Sequence, residues 1–229
     1  AYHAIDVPMD KQDIDAHDLE SFAMEAMDLG ADIQALSHER DVINRALAEL
    51  GAGTDNNWTS DTFNPIKLID DTINDLRKVT AGTGEIRIAW GPQAWIRFKH
   101  NKFVVDSFKV GRGAGSATAQ SITLEAARPL FIFEPQMRVF SMVEDVEPEG
   151  KAADLQYLLD DAVIVFATNP NPTRFDASFM KTFRKSGAWM RPRFYERDDS
   201  RVEVTALDWS EDVQVTNTVG AVRLNANAS

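Results

Sequence analysis

Residues 18–50 read DLESFAMEAMDLGADIQALSHERDVINRALAEL, from Asp18 to Leu50. Apolar residues recur at Leu19, Phe22, Ala26, Leu29, Ile33, Leu36, Ile43, Leu47 and Leu50. The steps alternate between three and four, with Arg40 filling the one missing place. That spacing predicts a single amphipathic helix with a narrow apolar stripe. At 1.5 Å per residue it would be on the order of 50 Å long. Asp15 or Asp18 is placed to cap its start, and Gly51 and Gly53 to end it. Gly30 marks a bend or a close packing contact. Acids dominate the outer face, while Arg40 and Arg45 sit in the C-terminal half, as the helix dipole prefers. A helix of this length reads as a strut or as a coiled-coil partner.

The first fifty residues, on and before the helix, carry most of the charge of the chain. Residues 1–50 hold 12 acids and 3 bases, a net of -9, within a total of -12 over 229 residues. The body that follows is nearly neutral. An acidic chain of this kind is not a bulk nucleic-acid binder, which needs Lys and Arg to displace counterions. With 44% hydrophobic and 26% charged residues the composition is globular. There is no cysteine, which excludes disulfides, thiolate-zinc sites and a cysteine nucleophile. No run of 18 apolar residues occurs, so no membrane-spanning helix is expected.

Downstream, Gly51–Asn64 reads as a polar loop anchored by Trp58. Asn64-Pro65 reads as N-cap and first helical residue, before a helix with Ile66, Ile69, Ile73, Leu76 and Val79 on one face. Ile86–Trp90 reads as a short strand, and Gly91-Pro92 opens a short helix bearing Trp95 and Phe98. Phe103–Val110 reads as a strand, Val110–Ser116 as a flexible glycine-rich loop, and Thr118–Arg128 as a helix stopped by Pro129. Val139–Val146 alternates as a strand does, until Pro148-Glu149-Gly150 breaks it. Ala162–Ala167 is a buried strand, and Asn169-Pro170-Asn171-Pro172 a loop. Arg201–Trp209 and Val213–Val222 read as two strands joined around Ser210-Glu211. Helix first, mixed next and strand-rich last indicates α+β rather than regular βαβ winding.

No residue is assigned a catalytic, cofactor-binding or metal-ligating role. Gly111–Ser116 lies between strand-like and helix-like segments, but lacks Gly-Lys-Ser/Thr and the G-x-G-x-x-G spacing of phosphate loops. His3, His17, His38 and His100 have no metal spacing. Asp10, Asp13 and Asp15 lack the glycine and closing glutamate of a calcium loop. Ser178 lacks the flanking glycines of a nucleophile elbow. The pairs Asp70-Asp71, Asp160-Asp161 and Asp198-Asp199 are adjacent, so their side chains point apart on helix or strand. The tryptophans Trp58, Trp90, Trp95, Trp189 and Trp209 read as core or interface anchors rather than base-stacking platforms.

Four segments carry a family likeness. They are the long helix followed by Trp58-Thr59-Ser60-Asp61-Thr62-Phe63-Asn64-Pro65-Ile66, and Ile86–Trp95 followed by His100-Asn101. The third is Asp161–Phe166 followed by Asp176–Arg184, and the fourth the terminal strand pair ending Gly220-Ala221-Val222-Arg223-Leu224. In their order and spacing they resemble a tailed-bacteriophage major capsid protein of the HK97-like fold. The resemblance implies an α+β chain with a long spine helix, a mixed axial (A) domain and peripheral (P) domain β-strands. It places the P domain with the spine helix at 1–57, and the end of the extended E-loop at 1–15. The A domain takes 58–188, and 189–229 returns to P-domain strands, with a final passage back into the A domain left open. Such a protein self-assembles into hexamers and pentamers of an icosahedral shell around double-stranded DNA, without sequence-specific binding. It is not an enzyme and takes no cofactor. Its partners are other copies of itself, then scaffold, portal, and head-decoration or maturation proteins. No membrane is involved. It resides in the virion and assembles in the bacterial host cytoplasm. The family's N-terminal arm and most of the E-loop normally precede the spine helix. The chain begins Ala1-Tyr2-His3, so these parts are expected to have been processed, deleted or left out.

The acidic helix face suits a wall that encloses DNA without gripping it, and equally suits the solvated face of any long helix. Three other readings compete. An encapsulin-like compartment shares the fold and encloses protein cargo. A helical interaction or scaffold module would use the stripe alone. A hydrolase would need acids converging in a deep pocket.

Overall fold

The structure, a computed structural model, describes residues 2–10, 19–112, 122–148, 150–184, 190–196 and 202–227. The chain divides into two compact units, Ala1–Val42 with Thr182–Gln214, and Ile43–Lys181 with Val215–Ser229.

The first unit is a sheet and most of one helix. Strand β1 (Tyr2–Asp10) leads to helix α1 (Leu19–Leu50), whose first part, to Val42, belongs here. The long helix therefore forms where the three-four periodicity placed it. Its buried side is not the stripe of large residues. Ala26, Gly30 and Gln34 are buried, while Met24, Leu29, Ile33 and Leu36 are exposed. The inward ridge consists of residues four apart; it shares Ala26 with the expected stripe and departs from it at Gly30 and Gln34. Small residues let the helix lie close to the sheet: a Cβ on Gly30 would stand 3.5 Å from Leu207 Cδ2.

Within that unit, β10 (Val202–Val215) is the long strand, and it pairs antiparallel with β1 and with β9 (Met190–Glu196). Both partners cover the same stretch of β10, so they lie on opposite edges. β8 (Met180–Arg184) belongs to the same sheet. Each flanking strand carries a proline, Pro8 in β1 and Pro192 in β9. Proline cannot donate to a ladder and is tolerated at sheet edges, where it hinders stray strand pairing. The turn expected at Ser210-Glu211 is absent. The strand runs straight through, because the buried Glu211 carboxylate finds partners without a turn.

The second unit is built on a five-stranded sheet in the order β2 (Thr54–Asn57), β11 (Ala221–Asn227), β7 (Ala162–Thr168), β3 (Glu85–Trp90), β4 (Gln136–Val139). β2 with β11 and β3 with β4 are parallel, and the two central pairings are antiparallel. Alternation on β7 and β3 feeds two cores. Val163, Val165, Ala167, Ile86, Ile88 and Trp90 point to one face, packed with helices α2 (Pro65–Val79), α3 (Pro92–His100) and α4 (Lys102–Arg112). Ala162, Ile164 and Ala89 point to the other, where Ile43 and Ala46 from the end of α1 join Phe179 and Ala221.

Local chemistry explains the helix starts. The Asn64 side chain accepts from the N–H groups of Ile66 and Lys67 at 3.1 and 3.2 Å, with Pro65 at the first helical position, as the sequence predicts. Phe103–Val110 is helical rather than extended. Asn101 Oδ1 accepts from the Phe103 N–H at 2.9 Å and opens α4. Val104 is fully buried and Val105 and Phe108 partly so, a helical spacing that the β-branched pair disguises. The helix continues through Arg112, into the stretch read as a loop, while residues 113–121 lie outside the described residues. Of the helix expected over Thr118–Arg128, the described part, from residue 122, holds α5 (Leu124–Ala127), followed by a 3-10 turn at Arg128–Leu130. Val139–Val146 is not one strand. β4 ends at Val139, and β5 (Val143–Asp145) turns back into β6 (Leu155–Tyr157) as a separate hairpin.

Candidate functional site

Among the described residues, those weighed for chemistry in the sequence do not converge. His3 stacks on Trp209 at 5.4 Å between ring centroids. His38 Nδ1 lies 3.2 Å from Glu211 Oε1, in the interior of the first unit. His17, Asp13, Asp15, Gly113–Ser116, Trp189 and Asp198-Asp199 lie outside the described residues. Among the described residues, no group of three or more His, Asp or Glu side chains is arranged to hold a metal ion. The acidic pairs separate as expected. The Asp70 carboxylate accepts from the Ile132 N–H at 2.9 Å, while Asp71 reaches Lys67 at 3.7 Å. Burial pushes the Asp70 carboxyl up, against the pull of that hydrogen bond, and Asp71 pushes it further. Asp160 is raised by burial and by Asp161, with Arg97 opposing.

Two buried polar clusters were not legible in the sequence. In the first unit Glu211 is 6% exposed and takes Gln34 Nε2 and Arg184 Nε, each at 3.2 Å, besides the contact with His38. These partners come from α1 and β8, so the carboxylate fastens elements far apart in sequence. In the second unit Asp176 and Lys181 form an ion pair at 3.1 Å, with side chains 6% and 9% exposed. Asp176 also accepts from the N–H groups of Thr173 and Ser178, and the Lys181 ammonium donates to the Thr173 carbonyl. Ser178 Oγ accepts from the Asn169 N–H at 3.0 Å. Ser178 thus holds a loop, and its hydroxyl is engaged by the Asp176 carboxylate.

Asp176 has a measurable signature. Burial alone would raise its carboxyl, but the Ser178 hydroxyl and N–H, Lys181 and the Thr173 N–H together hold it well below the usual carboxylate range. A carboxyl lowered on folding stabilises the native state above its unfolded pKa, and that stability is lost as pH falls through the folded value. Wild-type protein is therefore expected to lose stability progressively from about pH 4 downward. Asp176→Asn should lower stability at pH 7 and flatten this acid limb. Urea unfolding followed by tryptophan fluorescence at pH 7, 4 and 2.5 checks it. An acid limb as steep in the variant as in wild type would assign the effect to other carboxyls.

The tryptophans are core, as their reading predicts for Trp58 and Trp90, both fully buried. Trp58 meets Trp90 edge-on at 6.0 Å, Trp90 meets Trp95 at 5.3 Å, and Phe98 closes the cluster at 5.0 Å from Trp90. Their faces are occupied by one another and are closed to nucleobases. Buried Asn101 donates to the carbonyls of Trp58 and Phe63 at 2.9 and 3.1 Å and so pins the preceding loop to the cluster.

What remains is surface of a particular kind. On the first unit, α1 exposes Met24, Leu29, Ile33 and Leu36 beside Glu25, Asp28 and Asp32. On the second unit, the β5–β6 hairpin exposes Val143, Leu155 and Tyr157. Scattered exposed apolar residues such as Met24 are ordinary, whereas a ridge of them, as in Leu29, Ile33 and Leu36, marks a surface that associates.

No protein-family model matches the sequence, and no curated protein matches it. Solved structures do. A phage-related protein from Bordetella bronchiseptica superposes with a TM-score of 0.79 at 15% identity, covering 99% of this chain and 75% of that one. A structure from Mycobacterium phage Che8 matches with a TM-score of 0.58 at 13% identity, covering 100% of this chain and 72% of the other. This is the HK97-like capsid fold. An encapsulin from Synechococcus elongatus has the same fold, with a TM-score of 0.54 at 13% identity over 99% of this chain and 73% of its own. The HK97-like fold accounts for the α+β order with a long helix first, as the sequence resemblance implied.

Proposed function

We propose that this chain is a shell-forming capsid subunit, working by assembly rather than turnover. Many copies form hexamers and pentamers, and these close into an icosahedral shell around double-stranded DNA. The observation that carries the reading is coverage: solved phage capsid structures match essentially the whole chain, 98% in PhiM1 and 100% in Che8, not one common motif. Exposed apolar side chains on α1 support it, since a free monomer gains nothing by displaying them. Closed symmetry repeats modest contacts many times, and their sum stabilises the shell. In this reading residues 1–57 and 189–229 are the P domain, with α1 as its spine, and residues 58–188 the A domain; the two compact units divide instead after residues 42, 181 and 214, with 215–229 alongside 43–181. Scaffold, portal and decoration proteins are the further partners, and the virion is the destination.

Negative-stain microscopy tests this. The natively expressed protein is expected to yield polyhedral particles of uniform diameter. A monodisperse monomer at all salt and protein concentrations would sink the proposal. A second reading, a compartment around protein cargo, is favoured by the encapsulin likeness. The nucleic acid content of purified particles separates the two, because a nuclease-protected duplex belongs only to the capsid. The exposed acids Glu25, Asp28 and Asp32 are compatible with DNA held by confinement rather than by contact.

A further inference from the structure

Two surfaces of the second unit complement each other. The first is the β5–β6 hairpin. Its strands are three residues each, and it makes a separate two-stranded sheet. Two strands alone are marginal in water. This hairpin is nevertheless braced from within. Asp145 Oδ1 accepts from the N–H groups of Glu147 and Asp154 at 3.1 and 3.0 Å, and Lys151 pairs with Glu147 at 3.1 Å. Val143, Val146, Leu155 and Tyr157 are exposed and belong to neither core. Residues 143–157 hold five acids and one base, a net of -4.

The second surface is the corner between α3 and α4. Ile96 and Phe103 are exposed there, flanked by Lys99 and Lys102. Neither lysine forms an ion pair among the described residues. Residues 92–112 hold five bases and one acid, a net of +4. Both surfaces thus combine exposed apolar side chains with an excess of one charge, and the signs are opposite.

We propose that the β5–β6 hairpin of one copy docks on the α3–α4 corner of the next. The occupant of each surface is a second copy of this chain. Charge chooses the geometry. Hairpin against hairpin would set two acidic surfaces together, and corner against corner two basic ones, and both are penalised. Hairpin against corner is attractive, and it is heterologous: each copy gives one surface and receives the other. Contacts of that type generate rings when the rotation closes. The inference rests on the reading of the chain as a ring-forming shell subunit, and names the contact that closes the ring.

Charge reversal in the whole protein tests it. Glu144→Lys, Glu149→Lys and Asp154→Lys together take the hairpin from -4 to +2 and leave the Glu147–Lys151 pair in place, and Lys99→Glu, Lys102→Glu and Lys109→Glu take the corner from +4 to -2. Thermal unfolding confirms that each variant is folded, and native mass spectrometry at low salt reads the rings. Each triple variant is expected to lose at least about tenfold in ring population, as like charges meet. Combining all six restores it, because the pair is again complementary. Wild-type ring yield in both triple variants overturns the contact and leaves shell assembly standing. Loss in both without recovery in the combined variant shows that the surfaces do not face each other, and overturns it too. Wild-type protein that forms no ring under any condition removes the contact together with the reading beneath it.

Discussion

Gly91→Ala is expected to cripple folding of the second unit. Gly91 precedes Pro92 at the start of α3, with an ordinary φ of -73°, so backbone strain is not the reason. Space is. A Cβ on Gly91 would lie 2.2 Å from the Leu159 carbonyl oxygen and closer still to that of Asp160. Both are backbone atoms and have no rotamer to escape into. They are also committed: the Asp160 carbonyl receives the N–H groups of Gln93 and Ala94, and the Gly91 N–H donates to the Ala162 carbonyl at 2.8 Å. Making room means parting the start of α3 from the chain entering β7, and those bonds break with it. Overpacking usually costs about 1–3 kcal/mol, and a clash against hydrogen-bonded backbone belongs at or above the top of that range. The expected result is a large drop in the urea midpoint, or protein recovered only as aggregate. A midpoint within experimental error of wild type would show that the Leu159–Asp160 segment is free to move.

Trp90→Ala should rank beside it by a different mechanism. Trp90 is fully buried at the end of β3, in ring contact with Trp58, Trp95 and Phe98. Removing it leaves a large void among rigid rings that cannot collapse to fill it. Truncations of this size cost about 3–5 kcal/mol, through lost transfer free energy and the cavity together. Trp90→Phe retains most of the apolar volume and should lose much less. Chemical denaturation of both variants checks the ordering. Equal losses in the two would show that the full indole shape, and not apolar volume alone, holds the cluster together. Either severe variant would fail to assemble simply for want of a folded subunit, so both differ from the charge reversals, whose subunits stay folded.

The long helix was legible because nine consecutive steps keep one period, a signal no loop imitates. Which face it buries was not, since pattern reading gives weight to large apolar residues while the contact ridge is Ala26, Gly30 and Gln34. A close-packed helix is selected for small residues, and they carry almost no hydrophobic signal. The start of α2 was legible from Asn64-Pro65, whose chemistry is local. The Phe103–Val110 helix was not, since Asn101 starts it from outside the periodic stretch. Glu211 misled in the opposite sense. A charge inside an apolar run reads as a turn unless its partners are known, and Gln34 and Arg184 lie 177 and 27 residues away. For the same reason the buried pair Asp176–Lys181, the β5–β6 hairpin and the pairing of β1 with β10 escaped: each depends on neighbours that only the folded chain supplies. The fold family was legible only through the order of weak segments along the whole length, since no single motif carries it.

The order of strands has a consequence for synthesis. β11 spans residues 221–227, yet it sits inside its sheet, between β2 at 54–57 and β7 at 162–168. The first unit likewise waits for β10, which supplies the ladder for a strand some two hundred residues earlier. Neither unit can close while the ribosome still holds this stretch. Non-local pairing of this kind slows folding and leaves sheet edges open meanwhile. On a messenger read by several ribosomes, nascent chains meet one another before they are complete. A chaperone or a co-expressed binding partner that covers β2 and β7 during that interval would raise the yield of usable subunits without touching the finished fold.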